Sequence, residues 1–355
     1  KLTMPAKSRQ NPEVREFILR NVAAHPADIG SLTIQEFGLS RTSVNRYVLR
    51  LIEEGLLEAE GNTRARRYKL RNIVSVGFSI KLSFGLFEDA IWRDRILPEM
   101  KDVPQNVVDI CQYGFTEMLN NAIDHSASFD CLVTYEQDYC SIKMMIADEG
   151  IGIFKKIQND FNLADVQSAL LELSKGRLTS DKSKHTGEGI FFTSRMFEEY
   201  GIWSHGYYFG KTRKDGDEWL IETRESESKS PGTMVNMAIS TDAGWTTRDV
   251  FNQFLGDSLR FRRTHVPIKL GKYPNEQLVS RSQAKRISAR FDQFSEVQLD
   301  FEGIPEIGPA FADEIFRVFR IEHPDTKLSW VNASPEIIEM IWTAMAEDGD
   351  PPASA

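Results

Sequence analysis

The sequence predicts a multidomain protein of mixed α and β structure, and three observations support this. The chain has 355 residues, more than one domain of ordinary size. Apolar residues recur at helical spacing near the start, and strand-like and helical segments alternate further on. Residues 1–72 hold 13 Lys+Arg and 8 Asp+Glu, a balance of +5, although the whole chain carries −9. The expected segments are domains over 1–72, 73–240 and 275–347, a connector over 241–274 and a tail over 348–355.

Composition restricts the class of protein further. The hydrophobic content of 41% is enough for packed cores, yet no apolar run approaches a membrane span and no signal-peptide pattern opens the chain. Cys111, Cys131 and Cys140 lack metal-ligand spacing and lie in apolar surroundings, which is typical of core thiols in a reducing compartment. We therefore expect a cytoplasmic protein without a membrane contact.

The first 72 residues form a basic module. Helices are predicted over 12–25, 28–36 and 40–54, and short strands over 55–58 and 67–70. Ser40 is the expected N-cap of the third helix. This order resembles a winged helix-turn-helix, which implies contacts with double-stranded DNA. The residues expected to contact DNA are Arg41, Thr42, Ser43, Asn45, Arg46, Arg64, Arg66 and Arg67. The alternative is a helical interaction or dimerisation module with a solvated basic face.

The central segment mixes strands and helices. Strands are predicted within 73–87 and over 129–135, 139–147, 203–209, 218–223 and 232–239, and helices over 88–98, 105–126, 165–174 and 189–200. The long stretch from 154 to 184 ends in small and charged residues before Gly187, which indicates a mobile lid over a ligand.

One helical stretch, Phe115–Ser126, concentrates polar chemistry. Glu117 and Asn121 are four residues apart and share a helix face, with Asn120, Asp124 and His125 on or beside it. The carboxylate can take a proton from a water, and the amide oxygen can bind Mg²⁺. The alternative for this stretch alone is a solvated helix face.

Two later stretches are glycine-rich turns at element boundaries. An apolar strand leads into Asp148 and a turn with Gly150 and Gly152, and the run from His185 to Phe191 opens a helix. Such turns let backbone N–H groups approach phosphates. The ordered set E-x-x-x-N, D-x-G-x-G, G-x-G and then Gly-Thr before a strand resembles the ATP-binding domain of the GHKL superfamily, over roughly residues 73–240.

This resemblance implies an α+β Bergerat fold, a mixed sheet covered by helices, that binds ATP and Mg²⁺. It implies that Glu117 is a general base, that Asn121 binds the metal and that Asp148 accepts the adenine amino group. The other residues implied to bind the cofactor are Asn120, Gly150, Gly152, Thr186, Gly187, Glu188, Gly189 and Thr233. Lys182 and Lys184 either reach phosphate oxygens or are solvated in a loop. His125 and His185 are either polarising or structural.

The C-terminal segment alternates strands and helices, as a small α/β layer does. The predicted elements are helices over 282–294 and 308–319, strands over 297–301 and 327–331, and a last helix with Ser334 as its cap. The run at 299–307 is similar to STAS-like domains, which implies a protein partner. Residues 307–311 contain no hydroxyl, which puts phosphoacceptor chemistry there in doubt.

Three functional hypotheses follow. The first is an ATP-dependent, DNA-binding regulator that forms a homodimer, as winged-helix and GHKL proteins often do. The second is a kinase for a Ser/Thr of a separate protein, as in anti-sigma-factor kinases. The third is a non-catalytic nucleotide sensor in a multi-protein assembly, for example in phage defence. A histidine autokinase is disfavoured because His25 is the only histidine upstream of the central segment.

Overall fold

A computed structural model describes residues 11–62, 65–83, 85–178, 187–212, 218–223 (backbone only), 231–255, 262–273 and 276–346. The N-terminal module packs three helices on a two-stranded antiparallel hairpin. Its elements are α1 (Pro12–Asn21), α2 (Ile29–Phe37), α3 (Arg41–Glu53), β1 (Leu57–Glu60) and β2 (Arg67–Leu70). Ser40 caps α3 as expected, since its side-chain oxygen accepts from the Ser43 backbone N–H. The module has its own core, built on residues such as Ile18 and Val48.

The central unit contains a seven-stranded sheet in the order β3-β4-β5-β9-β6-β7-β8. The strands are β3 (Val74–Lys81), β4 (Asp130–Gln137), β5 (Ser141–Asp148), β6 (Glu199–Ser204), β7 (Tyr207–Thr212), β8 (Glu218–Thr223) and β9 (Thr233–Ser240). All neighbouring strands are antiparallel, so the expectation of a mixed sheet is corrected. The reason is that β9 inserts between β5 and β6 and runs antiparallel to both.

Helices cover this sheet. They are α4 (Glu88–Ile91), which continues through a π-helical turn (Trp92–Ile96) and a 3₁₀ turn (Leu97–Glu99), α5 (Gln105–His125), α6 (Ile153–Asp160), α7 (Val166–Lys175), α8 (Gly189–Met196) and α9 (Thr247–Phe254). The long helix α5 packs on β5, β9 and α8. Its buried side includes Cys111, Phe115 and Met118, apolar residues that recur at helical spacing.

The C-terminal unit has a parallel sheet in the order β10-β11-β12. Its elements are β10 (Arg263–Pro267), a 3₁₀ turn (Ile268–Gly271), α10 (Arg281–Ser288), a 3₁₀ turn (Phe291–Gln293), β11 (Glu296–Asp300), α11 (Pro309–Asp313), which continues through a π-helical turn (Glu314–Phe319) into α12 (Arg320–Glu322), β12 (Lys327–Val331) and α13 (Pro335–Ala346). Strand β10 lies in the expected connector, so this sheet begins earlier than the sequence suggested.

The central and C-terminal units share one continuous hydrophobic core, which runs from Val74 to Ala344. Helix α7 contributes Ala169, Leu170 and Leu171 to this core and contacts α6, α8 and β10. Within the described residues, none of the helices combines the length and apolarity that a membrane crossing requires.

Two elements differ from the sequence-based prediction in the second half of the central unit. The predicted helix 189–200 ends at Met196, because Phe197 is already extended and Tyr200 is buried in β6. The predicted single strand 203–209 is a hairpin, with His205 and Gly206 forming the turn between β6 and β7. Both turn residues have positive φ, 51° and 81°, as a two-residue hairpin turn of type I′ requires.

The segment expected to be a mobile lid is largely helical in its described part, residues 154–178. Its first part is α6, which the sequence did not predict, and its second part is α7, which does match a predicted helix. Helix α7 is packed rather than loose, and the Lys175 side chain is 0% exposed. Residues 179–186, which include Lys182, Lys184, His185 and Thr186, lie outside the described residues, as does Arg64.

Candidate active site

The polar face of α5 lines a cavity. Glu117, Asn120, Asn121 and His125 reach it from one side of this helix, because residues three, four and eight positions apart return to the same face. The opposite side of α5 is held in the core by residues such as Phe115 and Leu119. The predicted polar stretch is therefore fixed at a cavity instead of facing solvent.

A second wall comes from the end of β5. Asp148 is the last residue of this strand, and its Oδ1 accepts from the Gly150 N–H at 2.8 Å. Burial raises the pKa of Asp148, although the backbone N–H groups of Gly150 and Thr233 act in the opposite direction. Thr233 faces Asp148 across the β5–β9 pairing, and its hydroxyl oxygen accepts from the Ile153 N–H at 3.0 Å. The strand end thus places a half-buried carboxylate beside a hydroxyl whose oxygen accepts one hydrogen bond and whose proton can be donated.

The start of α8 closes the third side. Gly187 has φ of +70°, and the Leu178 N–H donates to its carbonyl at 3.1 Å. Gly189 lies against Glu117 so closely that a Cβ there would overlap Oε2 and lie 3.0 Å from Cδ. A side chain at position 189 would therefore displace the Glu117 carboxylate from its place beside the start of α8.

These walls enclose a cavity of about 290 Å³. Its polar lining is Glu117, Asn120, Asn121, His125, Ser126, Asp148, Lys156, Asp160 and Thr233. Its apolar and glycine lining is Met118, Ala122, Ile146, Gly152, Ile153, Ile157, Phe161, Leu173, Leu178, Gly187, Gly189, Ile190, Ile202 and Val235. The volume is near the lower end of small-molecule sites, which begin at about 300 Å³.

Negative charge is concentrated at one end of the cavity. Burial raises the pKa of Glu117, and the carboxylates of Glu88 and Glu188 raise it further. Burial also raises the pKa of Glu188, while Arg177 acts in the opposite direction. A carboxylate with a raised pKa in a cleft is a candidate proton acceptor, because its basicity approaches that of the groups from which it takes a proton.

Among the predicted cofactor-binding residues that the structure describes, two do not line the cavity. Gly150 supports the turn by donating to Asp148, and Glu188 is the residue just before α8. Two charged residues that the sequence did not single out line it, namely Lys156 and Asp160 of α6, which form an ion pair of 2.9 Å. Their spacing of four residues after a glycine turn was the available signal for a short helix.

The side chains at the cavity offer few ligands for a metal ion. Within the described residues there is no cluster of three His, Cys, Asp or Glu side chains that could hold a metal ion. Asn121 lines the cavity, and its side chain forms no hydrogen bond within the part of the chain that the structure describes. One free amide oxygen fits Mg²⁺ that takes its other ligands from phosphates and water.

The predicted DNA-binding residues separate into two groups. Arg41, Thr42, Asn45 and Arg46 are exposed on α3, and Arg66 and Arg67 are exposed on the hairpin. Ser43 is half-buried, and both its N–H and its hydroxyl interact with Ser40, so it serves the helix cap. In the same hairpin, Lys69 pairs with Glu60 at 2.6 Å, which places negative charge beside the basic residues.

The comparisons with known proteins address the C-terminal unit. This unit contains a STAS-like domain, as the run at 299–307 predicted. Residues 283–337 match the model of a family described as STAS-like domain of unknown function (DUF4325). A comparison with curated proteins gave no match.

Proposed function

We propose that the cavity binds ATP with Mg²⁺ and that the central unit is a Bergerat-type domain of the GHKL superfamily. One observation carries this proposal. Four stretches far apart in sequence contribute Glu117 and Asn121, Asp148, Gly187 and Gly189, and Thr233 to a single cavity. They appear in the order in which the superfamily's motifs occur.

The adenine end is the wall at Asp148. The Asp148 carboxylate interacts with the backbone N–H groups of Gly150 and Thr233, and its two oxygens have further lone pairs that can accept from an exocyclic amino group. Thr233 can donate its hydroxyl proton, because its oxygen already accepts from the Ile153 N–H. Ile146, Ile202 and Val235 supply the apolar surface against which a flat base would pack.

The phosphate end is the start of α8. Gly187 and Gly189 let backbone N–H groups of the first helical turn face an anion, which the helix dipole also favours. Mg²⁺ bound by Asn121 and the phosphates would neutralise charge on the transferring phosphoryl group. Glu117 is then placed to accept a proton from an attacking water, and the raised pKa suits that role.

A binding measurement tests the adenine assignment. In Asp148→Asn the amide keeps an acceptor for Gly150 but turns a donor toward the adenine amino group. We expect affinity for Mg·ATP to fall at least about tenfold, since two donors then face each other in a buried site. Glu149→Gln is the matched control, because Glu149 is the exposed neighbour and does not line the cavity. Equal affinities for folded Asp148→Asn and the parent protein would refute the assignment.

The N-terminal module is proposed to bind double-stranded DNA as a winged helix-turn-helix. The exposed Arg41 and Arg46 on a capped helix and the exposed Arg66 and Arg67 on the adjacent hairpin support this. β2 ends at Leu70, and the Ile73 N–H already donates to Gln137 of the central sheet at 2.7 Å. Such a short junction favours transmission of movement between the two units.

A homodimer whose two DNA-binding modules shift with nucleotide would link the two activities. A DNA titration of the Glu117→Ala protein with and without Mg·ATP tests this, because binding is then measured without hydrolysis. Linkage requires that any factor by which ATP changes DNA affinity also appears in ATP affinity when DNA is added. Identical curves and a monomeric mass in both conditions would contradict the coupling.

Labelled ATP separates the catalytic alternatives. Release of free phosphate supports an ATPase, transfer of label to a second protein supports a Ser/Thr kinase, and binding without either supports a nucleotide sensor. Glu117 at the cavity favours the first two outcomes over the third.

A further inference from the structure

Helix α7 lies between the cavity and the C-terminal unit. Leu173 lines the cavity, whereas Gln167 donates to the Lys272 carbonyl at 2.8 Å and Thr264 donates to the Lys175 carbonyl at 2.7 Å. The helix is thus a wall of the candidate site on one side and a docking element for the STAS-like region on the other.

A buried charge cluster joins α7 to that region. The Glu172 carboxylate accepts from Lys175 Nζ at 2.6 Å and from Arg290 Nη1 at 2.8 Å. Lys175 Nζ also donates to the Ala289 carbonyl at 2.7 Å. The side chains of Lys175, Glu172 and Arg290 are 0%, 6% and 17% exposed. Three charges in this position hold the end of α7 against the chain at 289–290.

Arg290 also contacts the backbone that follows α7. Its Nη2 donates to the Gly176 carbonyl at 3.1 Å and to the Arg177 carbonyl at 2.7 Å. The next residue, Leu178, lines the cavity and donates its N–H to the Gly187 carbonyl at 3.1 Å. A chain of direct contacts therefore runs from Arg290 to Gly187, at the proposed phosphate end.

We propose that Arg290 of the STAS-like domain is a positioning residue for the phosphate end of the nucleotide site. The inference rests on the proposed function. Arg290 does not line the cavity; it fixes Gly176 and Arg177 and, through Leu178, the position of Gly187. The STAS-like domain is on this view part of the nucleotide site of its own chain.

The backbone at Arg290 offers a clean way to remove the side chain. Its φ is +64°, in the left-handed region that glycine adopts without steric cost. Arg290→Gly therefore deletes the guanidinium and relieves the local backbone. Arg290→Lys keeps a positive charge for Glu172 but cannot serve the carboxylate and both carbonyls together. Arg281→Ala is the matched control, because Arg281 pairs with Asp313 at 3.0 Å within the same unit.

The experiment compares affinities for Mg·ATP and for adenosine, each by competition against a fluorescent adenine nucleotide, in the full chain. Arg290→Gly should weaken ATP binding about tenfold, which corresponds to a binding-competent arrangement populated about one-tenth of the time. Adenosine affinity should stay unchanged, because adenosine does not reach the phosphate end. Arg290→Lys should show a smaller loss of ATP affinity, and Arg281→Ala none.

Unchanged ATP affinity in Arg290→Gly would overturn the inference, and so would equal losses for ATP and adenosine, which indicate general damage. If Arg290→Gly does not fold, Arg290→Lys replaces it as the test. The inference then requires that the ratio of ATP affinity to adenosine affinity falls about threefold in Arg290→Lys, and an unchanged ratio overturns it. A parent protein that binds neither ligand would overturn the proposed function itself, which distinguishes the two failures.

Discussion

Gly189→Ala tests whether Glu117 acts in the cavity without touching Glu117. A methyl carbon at position 189 would overlap Oε2 of Glu117 and lie 3.0 Å from its Cδ and 3.4 Å from its Cβ. Gly189 does not have positive φ, so alanine fits the backbone. The group that must give way is the end of a flexible side chain, and the fold can therefore accept the change.

The expected size of the effect follows from this contact. Carbon atoms approach to about 3.5–4.0 Å, so the carboxylate must retreat by on the order of 1 Å. A displacement of about 1 Å can cost roughly a hundredfold in rate when the group acts on a reacting atom. We therefore expect Gly189→Ala to lower ATP turnover roughly a hundredfold. Its free energy of unfolding should stay equal to or exceed that of the parent, because alanine is the better helix former.

The assay is steady-state phosphate release with saturating Mg·ATP, together with a denaturant titration of each variant. Gly30→Ala is the matched control, since Gly30 also lies in the first turn of a helix and no atom lies within 4 Å of the position its Cβ would take. Glu117→Ala sets the rate expected when the carboxylate is absent. A folded Gly189→Ala protein with parental turnover would show that the position of Glu117 does not matter, and the assignment of the base would then be wrong.

Three further predictions concern pH, DNA and stability. Because burial raises the pKa of Glu117 and a base must be ionised, ATP turnover should fall as pH drops through this raised pKa, at a higher pH than for an ordinary glutamate. The residual turnover of Glu117→Gln should not show this fall, and the same pH profile in both proteins would contradict the role of Glu117 as the base. DNA affinity should fall steeply with salt, and Arg46→Ala should relax sequence preference while Arg66→Ala weakens all duplexes alike; a salt-independent interaction in gel-shift titrations would exclude phosphate contacts. Glu172→Ala should lower the free energy of unfolding by roughly 3 kcal/mol, since it leaves a buried ammonium at Lys175. Glu302→Ala removes an exposed ion pair with Lys269 and should lower the free energy of unfolding by at most about 1 kcal/mol. Burial lowers the pKa of Lys175 to about 8, so Lys175 is neutral above that pH. The loss of stability in Glu172→Ala should therefore become smaller as the pH rises toward and above 8, and a pH-independent loss in urea titrations would contradict this.

The best-predicted part of the site is α5. Its apolar face repeats over 21 residues, a length at which helical periodicity is unambiguous, and Glu117 and Asn121 then follow onto one face. The cap at Ser40 and the strand that ends at Asp148 were predictable for a different reason, because each signal lies within a few neighbouring residues.

The parts that were missed depend on distant partners or short patterns. Helix α6 has only two buried positions, Phe154 and Ile157, in eight residues, too few to establish a period. The turn at His205 was missed because its first residue is not Asn, Asp or Gly, the residues that mark such turns. The burial of Lys175 depends on Arg290, 115 positions later, so no local feature distinguishes it from a solvated lysine at a helix end.

The shared core has a consequence for how the chain unfolds. Opening the central unit would remove the contacts of α6 and α8 with α7, and opening the parallel sheet would expose the side of the same helix that contacts β10. Unfolding of either layer would therefore also destabilise the other layer, and the two should unfold as one cooperative unit. The N-terminal module, with a separate core, can melt independently. Differential scanning calorimetry should thus resolve two unfolding transitions for a chain with three structural units.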